Sequence, residues 1–182
     1  GIRFHPGMAY PFFQEPLADF LSPVEPYSKM TQRLALTQVY DQLAKTTCPS
    51  ARTRILDEWL LHQLADSPII QPNLLTALHW LEQQAQDPIA TLPHHVNLGQ
   101  RQLERLFKQW VGISPTHYRR IVRVNTVRSR LRNHSDSIHL SFEAINAGYF
   151  DQAHMNREFK RVVGLTPGQY LRCLNRNETR PL

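Results

Sequence analysis

The sequence predicts a mainly α-helical chain: two helix-turn-helix subdomains joined by a linker helix, preceded by a short extended segment and a helical hairpin. Three observations carry this. The stretch from Arg105 to Tyr118 returns 52 positions later as Arg157 to Tyr170, identical at seven of fourteen positions. Unrelated segments would share roughly one, so a single structural unit occurs twice. Apolar residues recur at three- and four-residue spacing through most of the chain, the period of an amphipathic helix. Both copies also carry the same stop and start signals. Gly112 and Gly164 follow helical stretches where a left-handed terminating residue is needed, and Ser114-Pro115 and Thr166-Pro167 supply an N-cap and then Pro at the first helical position. Two copies separated by other helical material do not propagate as a solenoid. They suit a partner that itself repeats.

The elements follow in order. Residues 1 to about 27 read as extended and turn structure: Ile2 and Phe4 alternate with polar neighbours, Pro6-Gly7 marks a turn, and Pro11, Pro16, Pro23 and Pro26 prevent a long helix. This is either the tail of a β-rich domain or a segment that lies along the following helices. From Ser28 the pattern turns helical, with Leu36, Val39, Tyr40 and Leu43 on one face until Cys48-Pro49-Ser50. A second helix from about Ala51 to Leu64 uses Ile55, Leu56, Trp59 and Leu60. The pair predicts a helical hairpin serving as core or as a dimer interface. Asp66-Ser67-Pro68 and Gln71-Pro72-Asn73 form the linker. Beyond it helices are expected at about 73–86 (Leu74, Leu75, Leu78 and Leu81 apolar), 90–95, 99–111, 115–132, 140–146, 151–163 and 167–175, with Asp151 as a further cap. The domains that follow are 1–66 and 73–182.

Composition bounds the classes. At 182 residues and 41% apolar content the chain holds one ordinary domain or two small ones with real cores. Its apolar runs fall short of the roughly 20 residues a membrane span needs. No basic region followed by an apolar run stands at the N-terminus, so a soluble, cytoplasmic protein without membrane partners is expected. Cys48 and Cys173 lack metal-ligand spacing and are expected as reduced, buried small hydrophobes. The opening on Gly1, without Met, suggests a fragment of something longer. Charge is uneven: residues 1–88 carry 6 Lys+Arg against 9 Asp+Glu, net −3, and residues 89–182 carry 15 against 6, net +9. The duplicated half is the basic half, and such a field favours a polyanion through phosphate neutralisation.

In each repeat a short helix, a tight turn and a longer helix succeed one another, with turns at Val96-Asn97-Leu98 and Ala147-Gly148-Tyr149. Asn97 and Gly148 tolerate the left-handed conformation such a turn requires. In the first longer helix Leu103, Leu106, Phe107 and Trp110 share the inner face, leaving Gln100, Arg101, Glu104, Arg105 and Lys108 outside. In the second, Met155, Phe159, Val162 and Val163 face in, Gln152, Ala153, Asn156, Arg157 and Lys160 face out, and His154 lies at the boundary. Arg, Gln and Asn are the side chains that pair bidentately with guanine and adenine edges in a major groove. Phe107, Phe159, Tyr118 and Tyr170 read as core rather than as platforms for bases.

Several motifs together resemble the DNA-binding domain of AraC/XylS-type bacterial transcription regulators. They are Gln102 to Lys108, Gly112-Ile113-Ser114-Pro115, Gly148 to His154, Arg157-Glu158-Phe159-Lys160 and Gly164 to Tyr170. The match covers about residues 73–172. More weakly, Gly1 to Phe13 and the helices after it resemble the end of the sensor domain in one branch of that family, which implies a sensor or dimerisation role for 1–66. The resemblance implies a sequence-specific, double-stranded-DNA-binding transcriptional regulator whose two recognition helices enter successive major-groove faces. Two readers about 34 Å apart match one turn of DNA. Carried over residue by residue, the base-reading positions are Arg101, Gln102, Glu104 and Arg105 in the first module and Gln152, Ala153, Asn156 and Arg157 in the second. Arg105 and Arg157 fit equally a phosphate clamp or an internal ion pair. Glu104 accepts only from cytosine and repels phosphate, and Ala153 offers only apolar contact to a thymine methyl. A small-molecule effector and a homodimer belong to the same implication, with no cofactor.

Two residues depart from the family pattern. Pro93 stands where Ala is usual and is comfortable only if its helix starts near Leu92. Glu143 takes a customarily apolar site and must reach solvent or an Arg. These departures motivate the alternative of an effector-sensing or protein-interaction module with weakened DNA binding. Neither catalytic nor metal-binding residues are assigned. The nine histidines include no His-Glu-x-x-His, no Gly-rich phosphate loop occurs, and adjacent His94 and His95 diverge by about 100° on a helix.

Overall fold

The computed structural model describes residues 2–20, 36–65, 67–84, 86–133 and 139–178. Among them no strand occurs, and the helices are α1 (Tyr10–Phe13), α2 (Leu36–Ala44), α3 (Pro49–Leu64), α4 (Pro72–Gln83), α5 (Leu92–His95), α6 (Gln100–Trp110), α7 (Pro115–Asn133), α8 (Leu140–Asn146), α9 (Gln152–Val163) and α10 (Pro167–Glu178). Single 3₁₀ turns occupy Leu17–Phe20 and Ile89–Thr91. The chain folds as two compact units, Gly1–Leu75 with Leu98–Ser114 and Thr76–Asn97 with Pro115–Leu182.

In the first unit α2 and α3 pack as the expected hairpin. The predicted helical stretch before Leu36 lies outside the described residues. Over its described residues, 2–20, the opening segment lies against the helices that follow. Instead of a strand it makes the one-turn helix α1, which Pro11 can join because the first turn needs no internal N–H bond. That helix rests on α3: the Phe12 and Trp59 rings lie 6.5 Å apart, and Ser67 Oγ donates to the Pro11 carbonyl at 3.2 Å. α3 begins at Pro49, slightly earlier than predicted, with Cys48 as its N-cap.

The second unit holds a continuous core of Val124, Val127 and Leu131 from α7, Ala144 from α8, Ala147 and Tyr149 from the turn, and Met155 and Phe159 from α9. Leu140, Val163, Tyr170 and Leu171 pack around it. Tyr118, at the head of α7, donates to Glu82 Oε1 at 2.6 Å. Burial first, then this bond and the Glu82 charge, push its phenol well above the usual range.

Some expected burials fail. Tyr40, Leu75 and Val162 are exposed, since each sits at the margin of its apolar stripe and a neighbour takes the inward place: Val39, Leu74 and Val163 respectively. Both thiols are free, as expected, but exposed rather than buried. Cys48 lies at a helix entrance, where the Ser50 hydroxyl and then the backbone N–H groups hold its thiol below the usual value.

Candidate nucleic-acid interface

The second helix-turn-helix is built entirely inside the second unit. α8 ends with Gly148 N–H on the Ile145 carbonyl and Tyr149 N–H on the Ala144 carbonyl, both at 2.9 Å. Gly148 then turns with φ +78°, the left-handed geometry that glycine adopts without a Cβ clash. Asp151 caps α9 by accepting from His154 N–H at 2.6 Å, a bond typically worth about 1 kcal/mol. Gly164, φ +85°, closes the helix with its N–H on the Lys160 carbonyl. Thr166 and Gln169 then form a reciprocal capping box for α10: Gln169 Oε1 accepts from Thr166 N–H at 2.9 Å and Gln169 N–H donates to Thr166 Oγ1 at 3.3 Å.

α9 is oriented by α7. Arg120 Nε donates to Glu158 Oε1 at 2.9 Å. The Arg123 guanidinium, almost buried, lies over the Tyr149 ring at 5.6 Å. Burial, and next the Glu158 charge, raise the Tyr149 phenol above its ordinary range. His154 sets its ring edge-on to Tyr149 at 5.3 Å, with Nε2 3.8 Å from Glu158 Oε1. These partners were not singled out in the sequence, although one sign was there: Glu158 stands where the first copy has the core residue Leu106.

The outward side of α9 carries Ala153, Arg157, Lys160 and Arg161, all exposed, while Gln152 and Asn156 are half-buried. Asn156 turns its Oδ1 inward without a hydrogen-bond partner. Glu143 meets an arginine as its position demands, bonding Arg130 Nη1 at 3.0 Å.

α6 is described within the first unit. Gly99 is its N-cap, and the N–H of Gly99 donates to Gln102 Oε1 at 3.0 Å. Gln102 therefore spends its carbonyl oxygen on the helix entrance. Leu103, Leu106, Phe107 and Trp110 are buried as predicted. Gln100, Arg101, Glu104, Arg105 and Lys108 are exposed, with Gln100 Nε2 donating to Glu104 Oε1 at 3.0 Å. Upstream, Pro93 fits because α5 begins at Leu92 and Pro93 stands in its first turn. Asn97 then takes φ +51° ahead of α6.

The arginines of the basic half divide sharply. All six on α7 have internal partners: Arg119 on the Asp87 carbonyl, Arg120 on Glu158, Arg123 over Tyr149, Arg130 on Glu143, and Arg128 and Arg132 on the Tyr170 hydroxyl. Those last two bonds, Arg128 first, hold the Tyr170 phenol below its ordinary value. By contrast Arg101, Arg105 and Lys108 on α6 and Arg157, Lys160 and Arg161 on α9 are exposed and make no ion pair or hydrogen bond among the described residues.

No described helix is long and apolar enough to cross a membrane. Residues 92–172 match the family model described as Helix-turn-helix domain. The HTH-type transcriptional regulator ArgR of Pseudomonas aeruginosa is 31% identical over 98 residues, covering 53% of this chain and 29% of that protein. The HTH-type transcriptional activator RhaR of Yersinia pseudotuberculosis is 31% identical over 93 residues, covering 51% of this chain and 31% of that protein. The chain thus spans about a third of the length of these relatives. A solved structure of the xylose-binding transcription activator XylR shares the fold with a TM-score of 0.50 at 17% identity, over 86% of this chain and 56% of that one. Residues 92–172 are thus similar to a helix-turn-helix domain of the kind these bacterial transcriptional regulators contain.

Proposed function

We propose that this protein is a sequence-specific DNA-binding transcriptional regulator in which α6 and α9 enter successive major-groove faces of one duplex. The observation that supports this reading is the division of the cations. The α7 arginines are used within the fold, whereas those on the outward sides of α6 and α9 are left for an external anion. Both helices present Arg beside amide side chains, the chemistry that reads guanine and adenine edges. On this reading Arg101, Glu104 and Arg105 with Gln152, Ala153 and Arg157 meet the bases. Gln102 keeps its amide nitrogen for that task, and Asn156 supplies its own.

Residues 1–66 would then be the tail of a sensor or dimerisation domain and 73–182 the DNA-binding domain, acting in the cytoplasm. An effector and a homodimer belong to the front half. Both departures that motivated a weakened module are accommodated locally, Pro93 in a first turn and Glu143 on Arg130. Selection of bound fragments from a random duplex library tests the proposal. Enrichment of two short motifs about one helical turn apart is expected. Binding should weaken with salt at a log–log slope between about −3 and −5, as three to six phosphate contacts require. Failure to retain any duplex at low salt overturns the reading.

A further inference from the structure

The two copies of the repeat differ at adjacent positions on the back of their second helices, Gln109 against Arg161 and Trp110 against Val162. In the first copy these positions are covered by the opening segment of the chain. The Tyr10 ring lies 4.4 Å from the Trp110 ring, and Gln109 Nε2 donates to the Tyr10 hydroxyl at 2.5 Å. The turn Leu17–Phe20 packs on α6 as well. A Cβ built on Gly112 would stand 3.0 Å from the Leu17 carbonyl oxygen. In the second copy the same face is open: Val162 is 37% exposed, and a Cβ on Gly164 would meet nothing within 4 Å.

The covering segment is itself anchored. Gln14, at φ +53°, closes α1 with its N–H on the Tyr10 carbonyl, and Phe13 packs on Phe20 at 5.1 Å. The far side is held to α3 through Phe12–Trp59 and to the stretch just after α3 through Ser67–Pro11. A rigid path of packed groups therefore runs from the hairpin through α1 to the C-terminal end of α6. Tyr10, Leu17 and the groups they touch all belong to the first unit, as α6 does.

We propose that Tyr10 and Leu17 are positioning residues for α6, so that the front of the chain sets how the first module, and not the second, reads DNA. The DNA part of this rests on the function proposed above; the mechanical part does not. Tyr10→Ala and Tyr10→Phe in the full chain test both, by amide hydrogen exchange of residues 100–110 against 152–163 and by library selection. Loss of an aromatic pair and a hydrogen bond corresponds to about tenfold. Tyr10→Ala should therefore speed exchange across α6 by about that factor and flatten one of the two selected motifs. That motif should be the one that Arg101→Ala also relaxes. Tyr10→Phe, which keeps the ring, should fall between, and α9 exchange and the other motif should match the unsubstituted protein.

Unchanged α6 exchange, equal acceleration in α6 and α9, or equal loss of both motifs overturns the proposal. If the unsubstituted protein selects no motif, the DNA reading falls, and the exchange difference alone still upholds or refutes the positioning role.

Discussion

Arg120 Nε and Glu158 Oε1 meet at 2.9 Å, and that bond joins α7 to α9 with side chains only 25% and 16% exposed. In the first copy the position of Glu158 is the buried Leu106, so α6 and α9 are secured by different chemistry. A partly buried, charge-assisted bond leaves its surviving partner poorly solvated when one side is removed. Glu158→Ala should therefore cost roughly 1–3 kcal/mol in urea unfolding. The double variant with Arg120→Ala should cost less than the two single effects added together. Strict additivity would show that the pair is not coupled.

The caps at α9 and α10 should be separable from reading. Asp151→Ala removes the acceptor for His154 N–H and should lower stability by about 1 kcal/mol. Asp151→Asn should recover most of it, since asparagine caps comparably. Chemical denaturation checks both, and an equal loss in the two variants would shift the weight from the hydrogen bond to the carboxylate's charge at the helix entrance.

Gly112 and Gly164 provide a matched pair. Both adopt the left-handed conformation, φ +87° and +85°, so alanine carries the same backbone penalty of roughly 1–2 kcal/mol at each. Only at Gly112 does the new methyl also press on the Leu17 carbonyl at 3.0 Å. Gly112→Ala should therefore unfold at a clearly lower urea midpoint than Gly164→Ala. Equal midpoints would mean that the opening segment yields freely.

Alkaline pH should weaken the fold. Tyr118 and Tyr149 have phenols raised above the ordinary value of 10.0, mainly by burial. Their contribution is complete below about pH 10 and is lost as pH climbs through the raised values. Tyr170 is lowered by Arg128 and Arg132, so its contribution is present above about pH 10 and fades as pH falls through the lowered value. The buried pair outweighs the single half-buried phenol, and unfolding free energy should decline from about pH 10 upward. Tyr118→Phe should flatten that decline, and Tyr170→Phe should remove the earliest phenolate step in an absorbance titration. A first step that persists would assign it to another tyrosine.

Base reading has its own signature. Arg101→Ala or Gln152→Ala should each relax discrimination at one base pair by roughly 1–3 kcal/mol, measured by competition between the selected site and single-base variants. A uniform loss over every sequence, with a shallower salt slope, would assign the side chain to the phosphate backbone instead.

Much of the second module was legible before any coordinates, because its determinants are local. Asp151, Gly148, Gly164 and the Thr166-Pro167 pair act through the backbone of their immediate neighbours, and the 3.6-residue period assigns Met155 and Phe159 to the core whatever surrounds them. The same holds for the inward face of α6 and for the need of Glu143 to reach solvent or an Arg. Long-range partnership was not legible. Whether Arg120 faces water or Glu158, whether Tyr170 donates or accepts, and whether the first residues form a strand or the helix that covers Trp110 depend on which distant groups arrive. Capping and periodicity are written in sequence separations of three and four, so the chain alone determined the helices and their inner faces. The division of its arginines between internal partners and the open sides of α6 and α9 was decided only when segments 13 to 42 residues apart came within hydrogen-bond range.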